Sequence, residues 1–252
     1  MMKRLNFLVY PVLLGGCLLL AISCQKDDEA MPSSGDITNN KTTAIFNPVI
    51  TYGTLTDQDG NIYKTVTIGA QTWMAENLRT TKYNDGTSIP NITSAAAWAD
   101  LTTGAYCNFN NNTKMDSLAT FGRLYNWYAV NTLKLAPVGW HVPTDAEWDE
   151  LTDFLGGPVP AGGKLKETDT AHWKIPNIGA TNETGFTALP SGSRNYLGVF
   201  YAIGLHASWL SSTEYNPNPK FAWYRGIWND YDELSRYSIT KVDGTSVRCI
   251  KD

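Results

Sequence analysis

Two stretches of the chain repeat apolar side chains at helical spacing, and the rest is read around them. Phe121, Leu124, Tyr125, Tyr128 and Ala129 fall at i, i+3, i+4, i+7 and i+8, which predicts a helix over about 121–131. In the second stretch Trp148, Leu151 and Leu155 share a face, with Phe154 beside them, and the predicted helix runs over about 144–155. Thr144 is a good N-cap, and Glu147 three positions later completes a capping box. Asp145, Glu147, Asp149 and Glu150 crowd the first turns, where the helix dipole favours negative charge, and Gly156 and Gly157 stop the helix. The four acids could be taken for a general acid–base cluster; a capped, solvated helix face accounts for them better.

Elsewhere the apolar runs are short and punctuated by turn formers. Residues 49–55 and 62–68 read as strands joined through Asp57-Gln58-Asp59-Gly60-Asn61, a tight-turn composition. That string also resembles the start of a calcium loop, but the later ligands and the closing glutamate are missing. Gly69-Ala70 and Asn84-Asp85-Gly86-Thr87 mark further turns, and Ser94 is placed to cap a short helix through Ala95 and Trp98. After Gly157 the chain changes character: 158–163 reads as a loop, and 177–185 holds turn formers. Residues 186–189, 199–203, 208–210, 221–228, 235–241 and 245–250 read as short strands. The expected fold is α+β: two helices on a mixed, mostly antiparallel sheet with long loops.

Composition narrows the function classes. Only 17% of residues are charged while 12% are aromatic, which suits an irregular α+β domain and argues against disorder. A net charge of −4 gives no basic footprint, so nucleic acid is not an expected partner. At the N-terminus Lys3 and Arg4 precede an apolar run over 7–22, the pattern of a secretory signal covering 1–23. Ala21-Ile22-Ser23-Cys24 resembles a bacterial lipobox, with Ala where Leu is commoner, so Cys24 is expected to carry the lipid. Several acyl chains at ~0.8 kcal/mol per buried methylene would tether the chain to a membrane. Gln25-Lys26-Asp27-Asp28-Glu29 resembles the surface-export signal of Bacteroidetes lipoproteins; the alternative is an acidic tether facing the periplasm. Outer-membrane anchoring with surface exposure is therefore expected. Residues 24–44 read as a flexible tether and 45–252 as one domain.

The segments TVTIGAQTWMAENLRTTKYNDGTSIP, FGRLYNWYAVNT, GWHVPTDAEWDELTDFLGG, GKLKET, HWKIPNIGATNETGFTALPSGSRN, YAIGLHASWLSSTEY and DGTSVRCIKD follow one another in order. Together, from about Asp57 to Asp252, they resemble the Fibrobacter succinogenes major paralogous domain family. More distantly, PTDAEWDE resembles the RLPTEAEWE segment of the formylglycine-generating (sulfatase-modifying factor) family. The resemblance implies a C-type-lectin-like fold, in which N- and C-terminal strands meet in one sheet. It implies little about function, since the family is largely uncharacterised.

Three site readings follow. Catalysis like that of the formylglycine-generating enzymes would need reactive cysteines in a late loop. Only Cys107 and Cys249 remain in the body, and the scattered His141, His172 and His206 offer no iron triad. Trp228-Asn229-Asp230 reproduces the WND of true C-type lectins, which makes Asn229 and Asp230 weak calcium candidates, but the partner loop is missing. The third reading is calcium-independent recognition by Tyr224, Arg225, Trp228, Asn229, Asp230 and Tyr231, with Trp209 and Trp223 facing the core. An exported domain sits where disulfides form, so Cys107 and Cys249 are expected to pair, a cross-link worth about 4–5 kcal/mol in the chain-entropy model. The expectation is a surface lipoprotein that binds a glycan or a surface protein, with no cofactor and no catalysis. The alternatives are a structural or adhesin subunit of a surface filament, and an enzyme related to formylglycine-generating oxidases.

Overall fold

The computed structural model describes Asn39 and residues 41–252. The signal segment, Cys24 and most of the tether lie outside the described residues. In chain order the strands and helices are β1 (Gly53–Thr56), β2 (Ile62–Ile68), β3 (Gln71–Met74), α1 (Ala95–Ala99), β4 (Tyr106–Cys107), α2 (Met115–Phe121), β5 (Leu124–Tyr125), α3 (Trp127–Val130), β6 (Trp140–His141) and α4 (Asp145–Phe154). They continue with α5 (Pro158–Leu165), β7 (Ser191–Arg194), β8 (Phe200–Ile203), β9 (His206–Glu214), β10 (Phe221–Trp228), β11 (Ser235–Thr240) and β12 (Ile250–Lys251). One sheet runs β1-β2-β3-β12-β6, a second β11-β10-β9, and two hairpin-like pairs are β4-β5 and β7-β8. Every strand pair is antiparallel, with a few isolated parallel bridges. The class is α+β, and strands from opposite ends of the domain share one sheet.

Where local signals are strong, the expected elements form. The turn at 57–61 joins β1 to β2, with the Asp57 amide donating to the Asn61 carbonyl at 3.0 Å. The Asp57 carboxylate accepts from the Asp59 and Asn61 amides, the Asn61 side chain and the Tyr63 hydroxyl, so its oxygens are spent within the turn. Ser94 caps α1, and α4 carries the full capping box between Thr144 and Glu147. Trp148, Leu151 and Leu155 are buried as their spacing requires, whereas Phe154 lies on the flank and is exposed.

The helix expected over 121–131 does not form as one piece. α2 ends at Phe121, β5 intervenes, and α3 follows. The break is at Gly122, whose φ of +73° is left-handed and where a Cβ would lie 2.7 Å from the Asn77 Cβ and 2.8 Å from the Leu78 carbonyl oxygen. Leu124, Tyr125 and Ala129 are buried, so the inward periodicity survives although the helix does not. The loop expected at 158–163 is instead part of α5, irregular at Val159 and Pro160. There Gly162 is a packing residue: a Cβ would lie 2.6 Å from the Glu233 carbonyl. The strand expected at 49–55 starts only at Gly53, 186–189 forms none, and within 245–250 only Thr245 and Ser246 make bridges before β12.

The larger core is built on an aromatic group. Trp73 and Trp148 pack at a tilt of 47° with ring centroids 4.6 Å apart, and Phe186 and Trp209 complete the group. Arg248, fully buried, donates to the carbonyls of Met74, Phe186 and Thr187 and to the Asn77 side chain, which also accepts from the Trp209 indole at 3.0 Å. A buried guanidinium with its donors satisfied by neutral acceptors ties β3, β9 and the approach to β12 together. Along its outside, Thr43 bonds Thr120 and His172, and the Ile45 amide donates to Glu167 at 2.6 Å, so the end of the expected tether already lies against the domain.

The expected disulfide is absent. Cys107 packs with Trp98, Ala105 and Leu124, while Cys249 sits in a different cluster with Met74, Leu78 and Val247, and both are free thiols. Burial pushes the Cys107 thiol up to about 12 and raises Cys249 as well. Both behave as small buried apolar side chains.

Candidate functional site

A groove of about 510 Å³ opens where five elements meet. Its walls come from the exit of α1 (Asp100, Leu101, Thr102), Tyr128 on α3, Tyr196 at the tip of the β7–β8 hairpin, Lys220 and Phe221 entering β10, and the end of β11 (Thr240 to Val242). Trp98, fully buried, anchors α1 against the domain, and the guanidinium of Arg194 lies 4.6 Å from its ring centroid. The same Arg194 donates to the carbonyls of Ile92 (2.6 Å), Thr93 (2.9 Å) and Gly198 (3.1 Å). One buried cation thus fixes the hairpin tip to the entry of α1, so two walls of the groove are held at a set separation. On the facing side the Lys241 ammonium sits 4.3 Å above the Trp127 ring and 2.6 Å from the Glu214 carboxylate. Tyr196 is 52% exposed and Tyr128 and Phe221 half-buried, so three rings with charged and hydroxyl neighbours face solvent. Such a surface stacks on flat apolar faces and hydrogen-bonds at their edges.

Behind the β11 wall, Asp243 is buried. One carboxylate oxygen accepts from the Thr240 amide (3.2 Å) and hydroxyl (2.9 Å), while the other has no partner within the protein. Burial lifts this carboxyl to about 6, against the pull of the Thr240 hydrogen bonds. The hairpin beyond Tyr196 presents Leu197 and Val199, both more than half exposed, beside Tyr201.

The residues nominated from sequence lie mainly at the other end of the same sheet. Arg225 is not a surface residue: it is 1% exposed and donates to Asp145 (2.6 Å) and Asp149 (2.6 Å) on α4. Asp145 is shared with Arg236. Burial works against ionisation at Asp145, but the hydrogen bonds from Arg236 and Arg225 outweigh it and hold the carboxyl below its usual range. Asn229 is buried too, its amide donating to the carbonyls of Lys174 and Ile175. In that orientation its side chain serves the backbone as a donor. Tyr224 is half-buried against the core, and burial raises its hydroxyl pKa. Trp228 stacks on His206 with centroids 4.2 Å apart, and Asp230 and Tyr231 are exposed. Trp209 is buried as expected, but Trp223 is only half-buried, with the Arg236 guanidinium 3.5 Å from its ring centroid.

The histidines are each engaged differently. His141 is clamped between Asp252 (2.7 Å) and Glu147 (2.8 Å), and the two carboxylates raise its pKa against a desolvation effect that opposes them. His172 bonds Glu167 at 2.7 Å, and His206 is buried, with its pKa pulled down to about 4 by desolvation. Among the described residues no three His, Cys, Asp or Glu side chains come together as a metal site would need. Likewise, no helix among them is long and apolar enough to cross a membrane.

The family model of the Fibrobacter succinogenes major domain matches residues 66–251. The chain belongs to that family. No curated protein and no solved structure matches it. In this member of the Fibrobacter succinogenes major domain family every groove residue falls inside the matched region. The groove itself was not foreseen from sequence. By sequence Tyr128 falls on the apolar face of the expected helix and Phe221 opens the expected strand 221–228. The usable signal was at the hairpin tip: Tyr196, Leu197 and Val199 place large apolar side chains around a turn that water should favour filling with polar ones.

Proposed function

We propose that this chain is a lipid-anchored, surface-displayed binding module with a C-type-lectin-like fold, and that its ligand is a glycan held in the groove beside Tyr196. The observation that carries the reading is the grouping of Tyr128, Tyr196 and Phe221 with Asp100, Thr102 and Lys220 in one open concavity. Aromatic faces flanked by polar and charged groups are what sugar rings require, with their apolar faces and equatorial hydroxyls. The meeting of β3, β12 and β6 in one sheet supports the C-type-lectin-like assignment. Ala21-Ile22-Ser23-Cys24 and the acidic residues behind it support lipidation and display. The high-pKa, buried Cys107 and Cys249 support a non-catalytic role, because a thiol nucleophile must be exposed and readily ionised. A surface protein is the second reading, favoured by Leu197 and Val199, aliphatic side chains that suit a protein partner better than a sugar.

The test is an array of glycans and extracellular-matrix proteins probed with the purified chain, with and without calcium. Glycan binding that is insensitive to calcium and falls at least about tenfold (~1.4 kcal/mol) in Tyr196→Ala and Phe221→Ala is expected. Hits restricted to proteins and abolished by Leu197→Ser would transfer the function to the second reading. Binding unaffected by either set would remove the groove from consideration. Labelling with an alkyne fatty acid, lost in Cys24→Ala, tests the anchor.

A further inference from the structure

Lys166, at the end of α5, is a buried cation that no carboxylate bonds. It is fully buried, and the acceptors of its ammonium are all backbone carbonyls: Ile178 at 2.5 Å, Tyr231 at 2.8 Å and Trp228 at 3.4 Å. The Trp173 ring lies 5.5 Å away. The carbonyls come from the 174–178 loop and from the end of β10 with the turn after it, which are otherwise joined edge to edge. The Ile178 amide donates to the Asn229 carbonyl, and the Asn229 side chain donates to the carbonyls of Lys174 and Ile175. Three oxygens therefore converge on a point fixed by the loops themselves, and a positive charge sits at that point.

We propose that these carbonyls form a monovalent-cation site whose occupant is the tethered ammonium of Lys166, and that an ammonium or potassium ion occupies it when that side chain is cut back. The chemistry of the oxygens selects the class of ion. All three are neutral, and no carboxylate bonds the ammonium. A calcium ion takes six to eight oxygens, commonly with several carboxylates among them. Ammonium and potassium suit rings of carbonyl dipoles. Asp232 and Asp230 lie close enough to favour a cation without coordinating it, while burial pulls the lysine down to about 8. The site also gives Trp228-Asn229-Asp230 a role unlike that of the lectin tripeptide. This turn meets a cation through main-chain oxygens, and its asparagine amide faces the neighbouring loop as a donor. A covalently attached charge thus holds loop 174–178 against the end of β10 and the turn that follows it.

The experiment compares the thermal midpoints of the intact chain, Lys166→Ala and Lys166→Met. Each is measured in sodium, potassium, ammonium, methylammonium and tetramethylammonium chloride at equal ionic strength. Lys166→Ala is expected to melt lower than the parent. It should then recover selectively, by about 3–6 °C for each tenfold rise of potassium, ammonium or methylammonium above its dissociation constant. Tetramethylammonium, too large for the cage, should give no recovery, and the parent should respond alike to all five salts. Lys166→Met, which fills the space without charge, should remain destabilised in every salt. Three results would overturn the proposal: Lys166→Ala responding equally to all cations, Lys166→Ala unfolded in all of them, or Lys166→Met as stable as the parent.

Discussion

Replacing Arg225 by methionine separates a structural role from a ligand-facing one. Methionine keeps much of the buried stem and deletes the guanidinium, leaving Asp145 with Arg236 alone and Asp149 without its partner. Breaking a buried ion pair from one side typically costs about 3–5 kcal/mol. Asp149 is more than half exposed and Arg236 still holds Asp145, so the lower end, about 3 kcal/mol, is the better expectation here. For a domain of this size that corresponds to a fall in thermal midpoint of about 6–12 °C. The assay is thermal unfolding followed by near-ultraviolet circular dichroism, with Asp145→Asn and the double variant completing a cycle. The coupling should be positive and of the same order as the single losses. Asp145 has its folded pKa depressed, so its contribution is present above the unfolded value near 4 and disappears as pH falls through the folded one. Arg225→Met should flatten that acid limb. A midpoint within about 1 °C of the parent, with ligand binding lost instead, would refute the reasoning and return Arg225 to the binding surface.

Asp243→Asn should be most stabilising, relative to the parent, at neutral pH. With a folded pKa near 6 and an unfolded one near 4, the parent loses up to about 3 kcal/mol as pH rises through this window, and a pH series of midpoints should show the slope vanish in the variant. Gly122→Ala should cost about 2 kcal/mol or more, because the left-handed φ and the contacts with Asn77 and Leu78 both oppose a Cβ; a denaturant midpoint equal to the parent's would contradict this. Cys107 and Cys249 should resist iodoacetamide in the folded chain and both become labelled after denaturation without reductant, read by peptide mass spectrometry. Thr144→Ala should lower stability by about 1 kcal/mol through loss of the cap, measurable by the same denaturant titration.

What could be read from sequence was whatever is decided within a few residues. The capping box of α4, the Ser94 cap, the 57–61 turn and the span of β2 follow from local chemistry, and they form as expected. What was misread is decided by distant neighbours. The 121–131 periodicity is real, but residues 77 and 78 run so close to Gly122 that the chain turns there instead of continuing as helix. By sequence Arg225 reads as a surface residue among aromatics because its partners, Asp145 and Asp149, lie far away on the helix whose acids read as solvated. The two cysteines share a compartment argument but not a location, since β4 and the approach to β12 carry them into different clusters. The groove joins five separate segments, and none of them announces the others.

The place of β12 has a consequence for how the molecule comes into being. Ile250 pairs with Trp73 on one side and His141 on the other, so the strand that bridges β3 and β6 is supplied from the far end of the domain. Until that wedge arrives, both neighbours keep open, adhesive edges and the aromatic core has no lid. A nascent chain would therefore stay unfinished until β12 had emerged, and would then close in one late, long-range step.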